Sequence, residues 1–416
     1  MDCTRLAGLV SNRFSLQTGA NRGKMISKPL RVLAASCIVA AGFGYFASLC
    51  FYVMSDRIAS QKDFISYWAA GQQLIHGANP YDYEAVRHLE LATGREDSNP
   101  LIMRNPPIAF FLALPLGLVS AKNGLVLWLF TLLACLSVSI RLIWLLNGRP
   151  ESRFHLLGYV FAPALACLMA GQFGIFLLLG VLLFLYFHQT RPFLAGTALL
   201  FCAMKPHLFL PFAIVLLLWI VVRKAYIILA GFFSALLASC ALSYCFDIHA
   251  WSQYMQMMHT GKALDEPVPV LSVVLRFLID RHAVWIQFLP EIAACCWALW
   301  YFWKRRNRWS WMKDGLLLLL VSEMCAPYGW FTDEAMALPA ILYGVYRAEE
   351  SMRSLLPLGL IAGIALIELF AGVQIISPYY LWTTPAWLAW YLYATRRKSL
   401  PAEESHIRIA ESANPH

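Results

Sequence analysis

Residues 174–246 read GIFLLLGVLLFLYFHQTRPFLAGTALLFCAMKPHLFLPFAIVLLLWIVVRKAYIILAGFFSALLASCALSYCF, and this stretch decides the fold class. Four apolar runs, 174–190, 192–204, 208–222 and 226–246, follow one another, separated by short polar breaks. The breaks hold Lys205-Pro206-His207 and Arg223-Lys224. Outward from there the pattern repeats along the chain. Of its 416 residues, 60% are hydrophobic and 14% charged, against about 25% charged in a soluble domain. A soluble protein of this length cannot hide so much apolar surface from water, whereas lipid solvates it directly. The expected class is therefore all-α, a polytopic membrane protein of about 12 transmembrane helices. The remaining expected spans are 32–54, 123–146, 154–170, 283–303, 314–326, 335–346, 355–373 and 381–395. Residues 106–119 and 268–280 are expected to be re-entrant or interfacial.

Charge sets the orientation. The formal net charge is +9, gathered between apolar runs at Arg223-Lys224, at Lys304 to Arg308 and at Arg396-Arg397-Lys398. Such clusters mark the cytoplasmic side. Residues 55–105 carry seven Asp/Glu against five Arg/Lys and read as an external loop. Residues 1–31 hold Arg5, Arg13, Arg22, Lys24, Lys28 and Arg31 against Asp2. They read as a cytoplasmic tail ahead of a retained first span, because the apolar run 32–54 is long for a signal peptide. Residues 32–395 form the membrane domain and 396–416 a second cytoplasmic tail, with both termini inside. The expected location is a bacterial inner membrane. No domain-scale basic face is available, so no nucleic-acid partner is expected. The cysteines lie mostly in apolar runs, with no Cys-x-x-Cys pair and no zinc-like Cys/His spacing, and read as small buried hydrophobes.

This threading gathers scattered polar groups at one membrane face: Asp63, Gly171-Gln172, Lys205-Pro206-His207 and Pro327 to Glu334. The first external loop contains Lys62-Asp63-Phe64-Ile65-Ser66-Tyr67-Trp68, then Gly77-Ala78-Asn79-Pro80-Tyr81-Asp82, then Asn105-Pro106-Pro107. An Asp after the first span, an amphipathic loop helix, a Gly-x-Asn-Pro-Tyr turn and a Pro-Pro entering the membrane form an ordered set. With the later Gly-Gln, Lys-Pro and Pro-aromatic segments, it resembles the membrane glycosyltransferases of the C-type fold, most closely glycosyltransferase family 87. The resemblance spans about residues 60–345. It implies an inverting sugar transfer, of mannose, from a polyprenyl-phosphate-linked donor to a hydroxyl of a lipid or glycan acceptor on the non-cytoplasmic face, with Asp63 as general base. The chain departs from some relatives near the end, where Thr332-Asp333-Glu334 stands in place of a histidine pair.

The residues themselves leave roles open. Asp63 can cap the helix beginning at Phe64 or take a proton from an attacking hydroxyl. Lys205, between apolar runs, can hold the donor phosphate or snorkel to the interface, and His207 can donate to the same phosphate or cap the helix break. Gln172, Tyr67, Tyr81, Trp330, Asp333 and Glu334 are candidates for sugar or acceptor contact. Equally, the aromatic residues suit an interfacial belt, Gln172 a helix terminus and the carboxylates a loop. Glu291, Glu323 and Glu368 lie inside spans and suit helix-to-helix hydrogen bonds. No phosphate-binding Gly-rich loop and no Asp-x-Asp pair in the external loop occur, so neither a cofactor nor a metal is expected. The rival reading is a transporter or lipid flippase, which also builds sites at broken helices. It lacks an internal repeat, and the polar set gathers at one face rather than at the midplane.

Overall fold

The computed structural model describes residues 55–97, 99–260, 268–348 and 352–396, leaving aside the side chains of Thr260 and of residues 352–354. The expected first span 32–54, the tail 1–31 and residues 397–416 lie outside the described residues. Among the described residues all regular structure is helical. Residues 55–105 give α1 (Asp56–Ser60), α2 (Phe64–Ile75) and α3 (Tyr83–Ala92), followed by α4 (Phe110–Gly117). Then come α5 (Ala121–Leu146), α6 (Ala162–Ala170), α7 (Gly174–Phe187), α8 (Pro192–Ala203), α9 (Leu210–Arg223) and α10 (Tyr226–Phe246). The remainder is α11 (Ala250–Thr260), α12 (Leu271–Ile279), α13 (Leu289–Arg305), α14 (Leu316–Cys325), α15 (Leu338–Ala348), α16 (Met352–Phe370) and α17 (Thr383–Arg396).

Local chemistry explains the ends. Ser55, Asp82 and Ser120 cap α1, α3 and α5 by accepting from Ile58, Ala85 and Asn123 backbone N–H groups, which satisfies donors left free in a first turn. Pro163, Pro192 and Pro211 sit in first turns, where a missing N–H costs nothing. α6 stops at Gly171, whose φ of 73° is left-handed.

The segment 55–105 is fastened from both ends. Glu90 accepts from the Leu101 N–H at 3.0 Å and pairs with Arg95 at 3.3 Å. Arg95 also donates to the Ser60 carbonyl at 2.9 Å, so the loop folds back over α1. α2 is buried along most of its length. Its Trp68 Nε1 donates to the Val119 carbonyl at 2.9 Å, and Gln72 donates to the Gly117 carbonyl at 2.8 Å. α10 holds the Pro-Pro entry, with Ser239 and Ser243 hydroxyls donating to the Ile108 and Pro107 carbonyls.

Expected spans within the described residues map onto helices with small shifts at the ends, but several are compound, among them 381–395, which begins in the 3₁₀ turn 378–382. Residues 154–160, 284–288 and 331–337 are tight 3₁₀ turns, and 311–315 is a π turn, each leading into the following helix. Pro163 and Pro290 explain two of these starts, because proline cannot continue a preceding helical hydrogen-bond ladder. α5 and α10 are long and apolar enough to cross a membrane; α7, α8 and α9 are shorter apolar helices. Large apolar side chains point outward on α9, α10, α13 and α16, including Val221, Leu237, Trp300 and Leu360. Such faces are compatible with lipid as solvent. α15, expected as a span, is enclosed by protein over most of its length.

The turn between α6 and α7 is a tight junction. A Cβ on Gly171 would stand 2.8 Å from Phe64 Cβ, and one on Gly174 would run into the Thr332 carbonyl oxygen. Gly174→Ala should therefore destabilise the protein by about 1–3 kcal/mol, the usual cost of overpacking. Its thermal midpoint in detergent should fall, while Gly363→Ala on α16, where an added methyl meets nothing within 4 Å, should leave the midpoint unchanged or raise it slightly. Equal midpoints for the two variants would contradict the close approach.

Candidate active site

Asp63 immediately precedes α2. Its side chain makes no capping hydrogen bond. Instead Asp63 Oδ2 accepts from Gln172 Nε2 at 2.6 Å. The cap expected from local sequence is thus replaced by a bond across 109 residues of chain. Gln172 Oε1 in turn accepts from the Tyr67 hydroxyl at 2.9 Å. Tyr67 packs edge-on to Phe173 at 4.4 Å and against Trp128 at 5.4 Å, and Trp128 Nε1 donates to the Gly171 carbonyl at 2.8 Å. The turn that supplies Gln172 is therefore held by the same aromatic group that holds Tyr67.

Lys205 lies at the break between α8 and α9, where Pro206 prevents the ladder from continuing. Its ammonium meets Asp333 Oδ1 at 2.6 Å and stands 5.8 Å from the centre of the Trp330 ring. Asp333 is anchored separately, since its Oδ2 accepts from the Trp330 backbone N–H at 3.1 Å. No acidic residue lies near Lys205 in sequence; the structure supplies a carboxylate from a segment 128 residues away. The Tyr328 hydroxyl accepts from Trp330 Nε1 at 2.7 Å and from Arg104 Nη1 at 3.0 Å. The His207 ring lies edge-on to Tyr328 at 6.0 Å.

Burial dominates the electrostatics. It pushes the Asp63 carboxyl above the ordinary carboxylate value. The Gln172 hydrogen bond opposes that rise, as do the charges of Lys205, Arg95 and Lys62. Lys205 and Asp63 thus lie within mutual electrostatic reach. Burial, and after it the Lys205 charge, lower His207 to about 4, so its imidazole is neutral near pH 7. A neutral ring carries one N–H donor and one acceptor. His207 Nε2 is buried with no hydrogen-bond partner among the described residues.

Of the residues singled out by sequence, Asp63, Tyr67, Gln172, Lys205, His207, Trp330 and Asp333 are brought together. Tyr81 stands behind them. Its hydroxyl donates to the Asn105 carbonyl at 2.9 Å, and Asn105 Nδ2 donates to the Met204 carbonyl at 3.3 Å, next to Lys205. Glu334 turns away from the group. Its Oε1 lies 2.6 Å from Thr383 Oγ1, and its Oε2 accepts from Trp387 Nε1 at 2.8 Å, so it fastens α17 to the 331–337 turn. Adjacent residues of that turn point to opposite sides, which the acidic pair Asp333-Glu334 does not disclose. Arg104 was not singled out from sequence. Its only signal was its place directly before Asn105-Pro106-Pro107.

A model of glycosyltransferase family 87 matches residues 104–327. This chain belongs to glycosyltransferase family 87. The matched segment contains Gln172, Lys205 and His207, and family 87 membership makes the chain a glycosyltransferase. Asp63, Tyr67, Trp330 and Asp333 lie outside the match and join it through the hydrogen bonds just described. No curated protein matches the chain, and no solved structure does.

The geometry separates Glu334 from its neighbour. Glu334→Ala should cost about 1–3 kcal/mol of stability, because the buried Trp387 N–H loses its acceptor. Glu334→Gln should recover part of that in a thermal melt. A variant of unchanged stability with a weakened sugar donor affinity would instead place Glu334 in the binding site.

Proposed function

We propose that the enzyme transfers a sugar, mannose, from a polyprenyl-phosphate donor to a hydroxyl of a lipid or glycan acceptor, inverting the anomeric carbon. The observation that carries this reading is the pairing of two unlike sites within electrostatic reach. One is a carboxylate held at one oxygen, Asp63. The other is a cationic and aromatic group formed by Lys205, His207 and Trp330.

Asp63 takes the proton of the acceptor hydroxyl as its oxygen attacks the anomeric carbon from the face opposite the phosphate. The new C–O bond forms as the bond to the phosphate oxygen breaks, and the bonding pair leaves with polyprenyl phosphate. Lys205 and His207 receive that phosphate, whose growing charge a fixed cation and an N–H donor stabilise. Trp330 offers a face to the sugar, and Asp333 orders this group by holding both Lys205 and the Trp330 backbone. Lipid solvates the outer faces of the helices, with the site on the non-cytoplasmic side and both termini in the cytoplasm. The family assignment favours this transferase reading over a carrier.

The decisive experiment incubates purified protein with a panel of polyprenyl-phosphate sugars and measures release of polyprenyl phosphate. Release from one sugar above all others is expected. Release from none, with folded protein, would overturn the donor assignment.

Two substitutions refine it. Asp63→Asn keeps the shape and removes the base, and general-base catalysis contributes about 10²–10⁴-fold. Transfer should slow by at least about a hundredfold while donor binding persists. Lys205→Ala should raise the KM for the donor in a protein that still folds; an unchanged KM would remove the phosphate role.

The pH profile has a definite sign. The base must be ionised, and burial raises its pKa. The rate should therefore fall with decreasing pH along a limb above the free aspartate value of about 3.9. A limb at or below that value would contradict Asp63 as the titrating base.

A further inference from the structure

We infer that Gln172 and Tyr67 are positioning residues that aim and tune Asp63, rather than contacts for the sugar or the acceptor. This deepens the reading of Asp63 as the base and rests on it.

The direction of the hydrogen bonds carries the argument. An ionised carboxylate only accepts, so the Gln172 NH₂ must face Asp63 Oδ2, as the 2.6 Å contact has it. The amide carbonyl is then turned to Tyr67, and the 2.9 Å bond requires the tyrosine hydroxyl to donate. The carboxylate, which cannot donate, rules out the reversed amide, and the Tyr67 hydroxyl steadies the remaining orientation by donating to the amide carbonyl. One oxygen of Asp63 is held, and Oδ1 is the atom left to receive a proton.

Both intermediaries are withdrawn from any ligand. Gln172 and Tyr67 are each only 4% exposed. The Gln172 backbone is pinned, its N–H donating to the Cys167 carbonyl and its carbonyl accepting from Cys167 Sγ, both at 2.9 Å. The Tyr67 ring is wedged between Phe173 and Trp128. A sugar hydroxyl would have to displace packed aromatic rings to reach either side chain.

The groups facing Asp63 come from several elements. Lys62 adjoins it, Arg95 reaches it from the returning loop, Lys205 from the break before α9 and Gln172 from the α6–α7 turn. Only Gln172 makes a direct hydrogen bond to its carboxylate among the described residues. Asp333, held on Lys205, lies within electrostatic reach of Tyr67. Loss of the amide bond should thus move the titration of Asp63 upward without altering the cations around it.

The test reads Asp63 directly. In reconstituted full-length protein, the carboxyl band of Asp63 is assigned in the infrared spectrum as the band lost in Asp63→Asn, and it is titrated. A hydrogen bond to a charged group is worth about one to two pH units of titration midpoint. Gln172→Leu should raise the midpoint by that amount, and Tyr67→Phe should raise it by less. With polyprenyl-phosphate mannose as the probe donor, the acidic limb of the rate should move by the same interval, while the donor KM stays within about twofold.

An unmoved midpoint in Gln172→Leu overturns the inference, as does a donor KM raised about tenfold with the acidic limb unmoved. Where Gln172→Leu fails to fold, Tyr67→Phe decides, since it removes one oxygen and keeps the ring. A parent enzyme inactive with every donor would overturn the proposed function, yet the infrared titration would still decide whether Gln172 and Tyr67 tune Asp63.

Discussion

The close approach of the 171–174 turn to both Phe64 and Thr332 is the constraint on which the site depends. Three segments far apart in sequence meet there: the start of α2, the α6–α7 junction and the 331–337 turn. Gly171 accepts a left-handed φ and lets Phe64 come near, while Gly174 lets the Thr332 carbonyl lie against the helix start. With a side chain at either position the backbones separate, and the bonds of Asp63 to Gln172 and of Lys205 to Asp333 lengthen together. In helical membrane proteins small residues bring backbones close where hydrophobic driving force between helices is weak. Here the same device aligns polar groups.

Around that junction, aromatic packing does what loops cannot do alone. Trp128 on α5 packs on Tyr67, Phe173 and Phe176 and hydrogen-bonds the Gly171 carbonyl. It is buried to 2% exposure. A long apolar helix thus reaches into the site through one side chain. The segment 55–105 is anchored at its other end by the buried pair Glu90–Arg95, and the Arg95 charge reaches Asp63. Chemistry placed on a loop gains the rigidity of a core by these two attachments.

Much of this was legible in sequence, and the boundary follows from the physics. Apolar runs and proline breaks are local signals, so α5, α7, α8, α9 and α10 fall close to where periodicity and composition set them. Lys205-Pro206 and Gly171-Gln172 announce helix ends for the same reason. Pairings across the fold carry no local signal. Nothing near Lys205 names Asp333, and nothing near Asp63 names Gln172 in place of a helix cap. Asp333 and Glu334 are chemically alike and adjacent, yet one faces Lys205 and the other Trp387. Only the direction of the turn distinguishes them.

The Lys205–Asp333 pair also bears on how a phosphate is received. A cation at this depth without a partner would be costly, so an unliganded site needs a carboxylate beside it. The Asp333 side chain is almost fully buried and fixed by the Trp330 N–H; Lys205 keeps more exposure at the end of a flexible stem. The ammonium has three donors and a point charge rather than a fixed fork. It can therefore turn toward an arriving phosphate while one N–H remains on Asp333. A fully matched, two-pronged pair would instead have to break before the ligand could bind. The carboxylate steadies the empty site and leaves the cation free to act, and its negative charge disfavours overly tight retention of the phosphate that leaves.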